Sequence, residues 1–155
     1  RSLRVVQEAI EESSNKVLVF VPFTHSLDML KKHLDKEGIT SEIINGSVSA
    51  NARADIVNRF QNQDTVKVLL IQPQAASHGL TLTAADTVIW YAPCNSVETY
   101  LQANARIDRP GQRNNMTVVH IYGSPIEERM YKLLRSNIFN HQQIVELYKQ
   151  ELAEI

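Results

Sequence analysis

The sequence predicts an α/β domain of three layers, a mostly parallel sheet with helices on both faces. Two observations predict it. Short apolar runs and helical periodicities alternate about five times along the 155 residues, the order that builds strand–helix–strand crossovers. The runs "KVLVFVPF" and "VKVLLI" are almost continuously apolar, as strands covered on both faces are. The length suits one domain with a real core.

Each element has a local reason. Residues 2–14 carry Leu3, Val6 and Ile10 at helical intervals, a short amphipathic helix. "KVLVFVPF" is a strand that ends at Pro22, since a central strand cannot spare the amide. Thr24 can cap a helix whose apolar face is Leu27, Leu30 and Leu34, closed by Gly38. "SEIINGS" reads as a strand and a turn, and Ser49 can cap a helix burying Ile56, Val57 and Phe60. "VKVLLI" is a strand, "QPQAASHGLTLTA" a loop, and "DTVIWYAP" another strand. Asn95, with Glu98 three positions on, makes a capping-box-like start for the next helix. "MTVVHIY" is the last strand expected. From Pro125, Ile126, Met130, Leu133 and Leu134 continue a helical pattern, resumed by Ile144, Leu147 and Leu152 after a break near 137–141. The expected organisation is one domain over 1–155, with its core at about 16–135 and a helical extension over 136–155. The opening "RSLRVVQEAI", helical from the start and without a methionine, reads as a piece of a longer protein.

Composition excludes some functions. A formal net charge of -1 gives no whole-molecule basic field, so any nucleic-acid surface is a local patch. The single cysteine, Cys94, has no disulfide or CxxC partner, which fits a reducing, intracellular setting. The apolar runs are too short to span a membrane, and no signal peptide is visible. The histidines show no metal-like spacing. In parallel sheets, sites form beyond the carboxyl ends of strands. Three loops there are rich in polar and small residues: Phe23–Ser26, Gly46–Arg53 and Pro73–Thr83.

One helix end stands apart. In "YLQANARIDRPGQ", Gln102, Arg106 and Arg109 follow one another at intervals of four and three, so they share a helix face. Val97, Leu101 and Ala105 form a neighbouring apolar stripe expected to pack on the sheet. Pro110 and Gly111 enforce a sharp exit after Arg109. Arginine offers a permanently charged, rigid donor fork suited to phosphate oxygens. Ion pairing with surface carboxylates at a negative helix end is the plainer alternative.

The same stretch resembles the QxxxRxxRxGQ signature of superfamily 2 helicases, most closely the Swi/Snf-like translocase branch. Four further segments match in order: "KVLVFVPFTHSLDMLKKHL", "INGSVSANARADIVNRF", "QPQAASHGLTLTAADTVIWY", with its LTAAD helix, and "VVHIYGSPIEERMYKLL". The resemblance covers about residues 16–135 and implies the second, RecA-like motor lobe. It further implies that Arg106 and Arg109 reach the γ-phosphate of ATP held by the first lobe, that Gln102 positions them, and that Gly79 couples the cleft to the track. Thr24 and His25, then Gly46, Ser47 and Arg53, then Gln74, Ser77 and His78 would meet nucleic-acid backbone, double-stranded DNA in this branch. Mg²⁺ would be held by the first lobe. The implied partners are therefore the amino-terminal lobe of the same protein and DNA, with no membrane. The sequence departs from the pattern at Pro22, at Pro73 and Ala76–Ser77, and at Asp108 and Pro110 beside the second arginine.

What the chain lacks matters equally. It has no GxxxxGK[ST] loop, no Gly-Lys dipeptide, and its Glu-Glu pairs at Glu11–Glu12 and Glu127–Glu128 lie in helices. The expectation is half of a composite active site, inactive alone. The alternative from another class is a non-hydrolysing nucleic-acid or protein interaction module on the same fold. A small phosphate- or flavin-binding domain would need a glycine-rich loop after its first strand, which is absent.

Overall fold

A computed structural model describes residues 2–78, 80–107, 116–136 and 142–148; of Ser2, Ser77, His78 and residues 142–148 other than Glu146, only the backbone is described. The elements run α1 (Ser2–Glu12), β1 (Lys16–Phe20), α2 (Thr24–Lys36), β2 (Ser41–Ile44), α3 (Ala50–Asn62), β3 (Val68–Ile71), a 3-10 segment (Pro73–His78), β4 (Ala85–Trp90), α4 (Val97–Asn104), a 3-10 turn (Ala105–Ile107), β5 (Met116–Tyr122), α5 (Pro125–Arg135) and β6 (Gln142–Tyr148). The sheet order is β2-β3-β1-β4-β5-β6, and every neighbouring pair is parallel.

The handedness of crossovers explains the layers. Among the steps that follow β1, only β1 to β2 moves toward the β2 edge. Right-handed crossovers then put its helix on one face and the later ones on the other. So it is. Val6 and Ile10 of α1 and Leu27, Leu30 and Leu34 of α2 pack with Val17, Val19, Leu70 and Ile89 on one face. Ile56 and Phe60 of α3, Tyr100 and Ala103 of α4, and Tyr131 and Leu134 of α5 pack with Leu18, Leu69, Val88 and Trp90 on the other. Successive strand residues point to opposite faces, so both faces are drawn from the same continuous apolar runs.

Several ends form as the sequence suggests. Gly38 takes φ 76°, the left-handed conformation only glycine adopts cheaply. Around it, Gly38 N–H donates to Asp35 O (3.2 Å) and Ile39 N–H to Leu34 O (2.9 Å), the paired bonds of a Schellman close. Ser49 accepts from Ala52 N–H and caps α3. At the β2 edge, Lys31 Nζ donates to the Ser41 carbonyl (2.7 Å), and Arg59 pairs with Glu42 (2.9 Å).

Other expectations are corrected. Residues 142–148 are a strand, not part of a helical extension, pairing with β5 from Met116↔Gln142 to Tyr122↔Tyr148. Ile144, Val145 and Tyr148 favour pleated backbone, and β5 would otherwise present a bare edge. The "LTAAD" segment is not a helix: Thr83 and Ala84 make a turn, and Ala85 and Asp86 begin β4. Thr24 does not cap α2: it is the first helical residue, after Phe23 at the cap position, and its hydroxyl accepts from Gln72. Ser96, not Asn95, caps α4.

The largest corrections concern which faces of α4 and α5 are buried. Val97 and Leu101 are 39% and 37% exposed, and α4 buries Tyr100, Ala103 and Asn104. Along α5, Ile126 and Leu133 are exposed while Tyr131 and Leu134 are buried. The cause is an aromatic chain under both helices. Ring centroids step from Phe20 to Trp90 (4.8 Å), Tyr100 (5.1 Å), His120 (5.8 Å) and Tyr131 (4.2 Å, stacked). Such pairs add about 0.5–1.5 kcal/mol each beyond the area they bury. The hydroxyls of both tyrosines are also met: Tyr131 donates to the Ile121 carbonyl (2.9 Å) and Tyr100 O–H lies 2.7 Å from His120 Nε2.

Candidate nucleotide and nucleic-acid site

The first cluster lies at the carboxyl edge of the sheet. The chain leaves β1 for one face and β3 for the other, so the edge opens between these adjacent strands. That is where parallel sheets place ligands. Gln72, one residue beyond β3, spans the opening. Its Nε2 donates to Thr24 Oγ1 (3.1 Å), and its Oε1 accepts from Gly46 N–H (3.4 Å). Asn45 Oδ1 accepts from Ser47 N–H (3.0 Å) and Oγ (2.7 Å), a side-chain-closed turn. Thr24, His25, Gly46 and Ser47 are exposed along this rim, as is Gln74 beyond Gln72. Hydroxyls and turn amides of this kind contact phosphates without reading bases.

Gln72 escapes sequence reasoning, because nothing in "VKVLLIQP" separates it from an ordinary residue at a strand end. Its role needs two loops to converge from distant parts of the chain. Ser77 and His78 end the 3-10 segment that follows β3, while Gly79 lies outside the described residues.

The second cluster lies away from this rim. The α-helical part of the arginine helix ends at Asn104, and Arg106 sits on the 3-10 turn that follows. Arg106 is half-buried; its Nε donates to the Gln102 carbonyl (2.9 Å), and no ion pair joins it to another described residue. That bond satisfies a carbonyl left open by the helix end. The Gln102 amide donates to Glu98 Oε1 (3.2 Å). The Arg106 carbonyl accepts from Leu82 N–H (3.0 Å). Leu82 is three residues before β4, which sets Arg106 toward the amino end of that strand and apart from the Thr24–Gly46–Gln72 rim. Arg109, with Pro110 and Gly111, lies outside the described residues.

Segment 80–82 connects the arginines. Leu80 and Thr81 form a groove with Ala50, Arg53, Ala54 and Val57 of α3, while Leu82 holds the backbone of Arg106. The Arg53 Nε is buried and makes no hydrogen bond among the described residues. Gln61 secures the far end of the segment, donating to Thr83 Oγ1 (3.1 Å) and accepting from Ala84 N–H (2.7 Å).

Beneath the arginine turn the chemistry is buried and neutral. Trp90 Nε1 donates to Asn104 Oδ1 (2.9 Å). His120 is fully buried. Burial, and then the Arg135 charge, push its pKa down to about 3. Glu146 Oε2 lies 3.6 Å from His120 Nδ1 and would favour a charged ring, but Arg135 is 3.5 Å from the same carboxylate and offsets it. Burial drives the Tyr100 and Tyr131 hydroxyls well above the ordinary tyrosine range. Among the described residues no group of three histidine, cysteine or acidic side chains could hold a metal ion, and no helix is long and apolar enough to cross a membrane.

Comparison with known proteins identifies the family. Residues 1–111 match the helicase conserved C-terminal domain. The mouse chromodomain-helicase-DNA-binding protein 1-like is 35% identical over 125 residues, 80% of this chain and 14% of that protein. The ATP-dependent helicase fft2 of Schizosaccharomyces pombe is 32% identical over 140 residues, 88% of this chain and 11% of that protein. This chain thus spans a small part of the curated relatives it matches. Among solved structures, the C-terminal part of the Fun30 ATPase domain superposes with a TM-score of 0.77 at 23% identity, over 90% of this chain and 48% of that one; this likeness bears on the RecA-like fold. The chain belongs to the helicase conserved C-terminal domain family, in its Swi/Snf-like branch.

Proposed function

We propose that this chain is the second motor lobe of an ATP-dependent DNA translocase or helicase. Residues 1–155 form a single lobe. A companion amino-terminal lobe of the same protein holds the nucleotide and Mg²⁺, in the reducing interior of a cell. Arg106 and Arg109 reach across the cleft to its γ-phosphate. The observation that carries this reading is the placement of Arg106 on a tight turn, unpaired with any described carboxylate and bonded to Leu82 beside the Arg53 groove. No described carboxylate competes there with an anion presented by another body.

The chemistry suits these residues. Phosphoryl transfer needs charge neutralisation and alignment more than covalent help, and an arginine supplied across an interface is worth about 10³–10⁵ in rate. Gln102 positions the arginines, and Gly79 couples the cleft to the track. Thr24, His25, Gly46, Ser47, Arg53, Gln74, Ser77 and His78 contact the backbone of double-stranded DNA. Neutral donors with few cations suit a chain of net charge -1 and contact that ignores sequence.

The test uses the full two-lobe protein. Arg106→Ala and Arg109→Ala are each expected to lower DNA-stimulated ATP turnover by about 10³ or more, with nucleotide affinity within a few-fold of the parent. Equal loss of binding and turnover would refute the role across the cleft. The isolated chain is expected to show negligible turnover, since it lacks the phosphate-binding loop.

A further inference from the structure

The aliphatic residues of α4 do not explain its orientation. The helix has only 8 residues, and its two larger aliphatic side chains, Val97 and Leu101, face outward at 39% and 37% exposure, while only the small Ala103 is buried. Burial of these two aliphatic groups favours turning them to the sheet, but the inner face is taken by the Tyr100 ring and Ala103. At about 100° per residue, turning them inward needs a rotation of roughly a quarter turn about the helix axis. Gln102 and the turn bearing Arg106 would swing by a similar angle. Something other than aliphatic burial holds the observed orientation.

Two polar contacts do so. Asn104 is 3% exposed and accepts from the Trp90 indole N–H at 2.9 Å. Tyr100 is fully buried, with its hydroxyl 2.7 Å from His120 Nε2. Both are directional, and both reach strand residues: Trp90 ends β4 and His120 lies within β5. If α4 rotated, the Trp90 indole N–H and the His120 imidazole would be left buried without these partners, and the Tyr100 ring would be carried out of the core. Unmet buried groups are penalised more heavily than a half-exposed Val or Leu. The two contacts sit a turn apart on the helix and exclude other rotations. Asn104 is only two residues before Arg106, so little chain intervenes to absorb an error.

We infer that Asn104 and Tyr100 are positioning residues for Arg106, keys that fix the rotation of the arginine helix against Trp90 and His120. The inference rests on the proposed role of Arg106 in ATP turnover and adds to it the residues that aim the side chain. Neither key meets the nucleotide.

The experiment is a double-mutant cycle in the full two-lobe protein, reading kcat, KM and nucleotide affinity with DNA present. Asn104→Leu, close in size but without the acceptor, is expected to lower kcat about tenfold to a hundredfold, the scale of a misplaced catalytic group, with KM within about twofold. On an Arg106→Ala background the same change should lower kcat by less than about twofold, since there is no guanidinium left to aim. Tyr100→Phe, which keeps the ring and removes only the hydroxyl, should show the same background dependence at smaller size, and it carries the test if Asn104→Leu does not fold. An equal loss on both backgrounds, or no loss on the parent, overturns the inference and leaves Arg106 untouched. If Arg106→Ala itself leaves turnover unchanged, the proposed function fails, and the inference with it.

Discussion

The two faces of the sheet are covered by helices that find their orientation differently. On the α1–α2 face, aliphatic spacing suffices: Leu27, Leu30 and Leu34 recur at helical intervals and all three are fully buried. On the face of α4 and α5, aliphatic spacing misleads. Val97, Leu101, Ile126 and Leu133 face outward, while Tyr100, Asn104 and Tyr131 turn inward. Non-directional burial can set a helix down approximately. Directional bonds to an indole, an imidazole and strand carbonyls set its rotation. The helix leading to Arg106 is of the second kind.

That contrast can be broken in order of effect. Leu30→Ala on α2 should destabilise the domain by about 2–5 kcal/mol, the range for large-to-small changes in a packed core. Denaturant unfolding measures it, and activity per folded molecule should hold. The opposite face should answer to acid. His120 has its folded pKa at about 3, below the unfolded value near 6.5, so the native state resists its protonation. Its contribution is fully present above about pH 6.5 and is lost as pH falls toward 3. Between pH 7 and 5 that amounts to about 2 kcal/mol, and a His120→Gln variant should lack this part of the slope. The groups facing the ring are Tyr100, Tyr131 and Glu146, with Arg135 behind the carboxylate. The smallest effect sharpens the comparison most. Leu101→Ser should change stability by less than about 0.5 kcal/mol, although the same residue type at Leu30 is essential.

The sequence reveals the alternation of elements, the parallel order, the caps at Ser49 and Gly38, and the strand "MTVVHIY" matched residue for residue by β5. All of these rest on local rules or single periodicities. The aiming of α4 is not visible there, because Asn104 looks like a surface residue until Trp90 arrives from another strand. Gln72 is hidden for the same reason, since its partners Thr24 and Gly46 are distant in sequence. β6 is hidden because Ile144 and Leu147 also suit helical spacing, and only the open side of β5 decides between the two.

One border of the sheet carries a further consequence. β2 is four residues long, with one carbonyl occupied by Lys31 and Glu42 bound to Arg59. A strand so short, salted and partly saturated offers poor purchase to the strand of another molecule. At this border the ribbon has little tendency to grow by recruiting another strand, so lateral sheet extension is disfavoured on the β2 side.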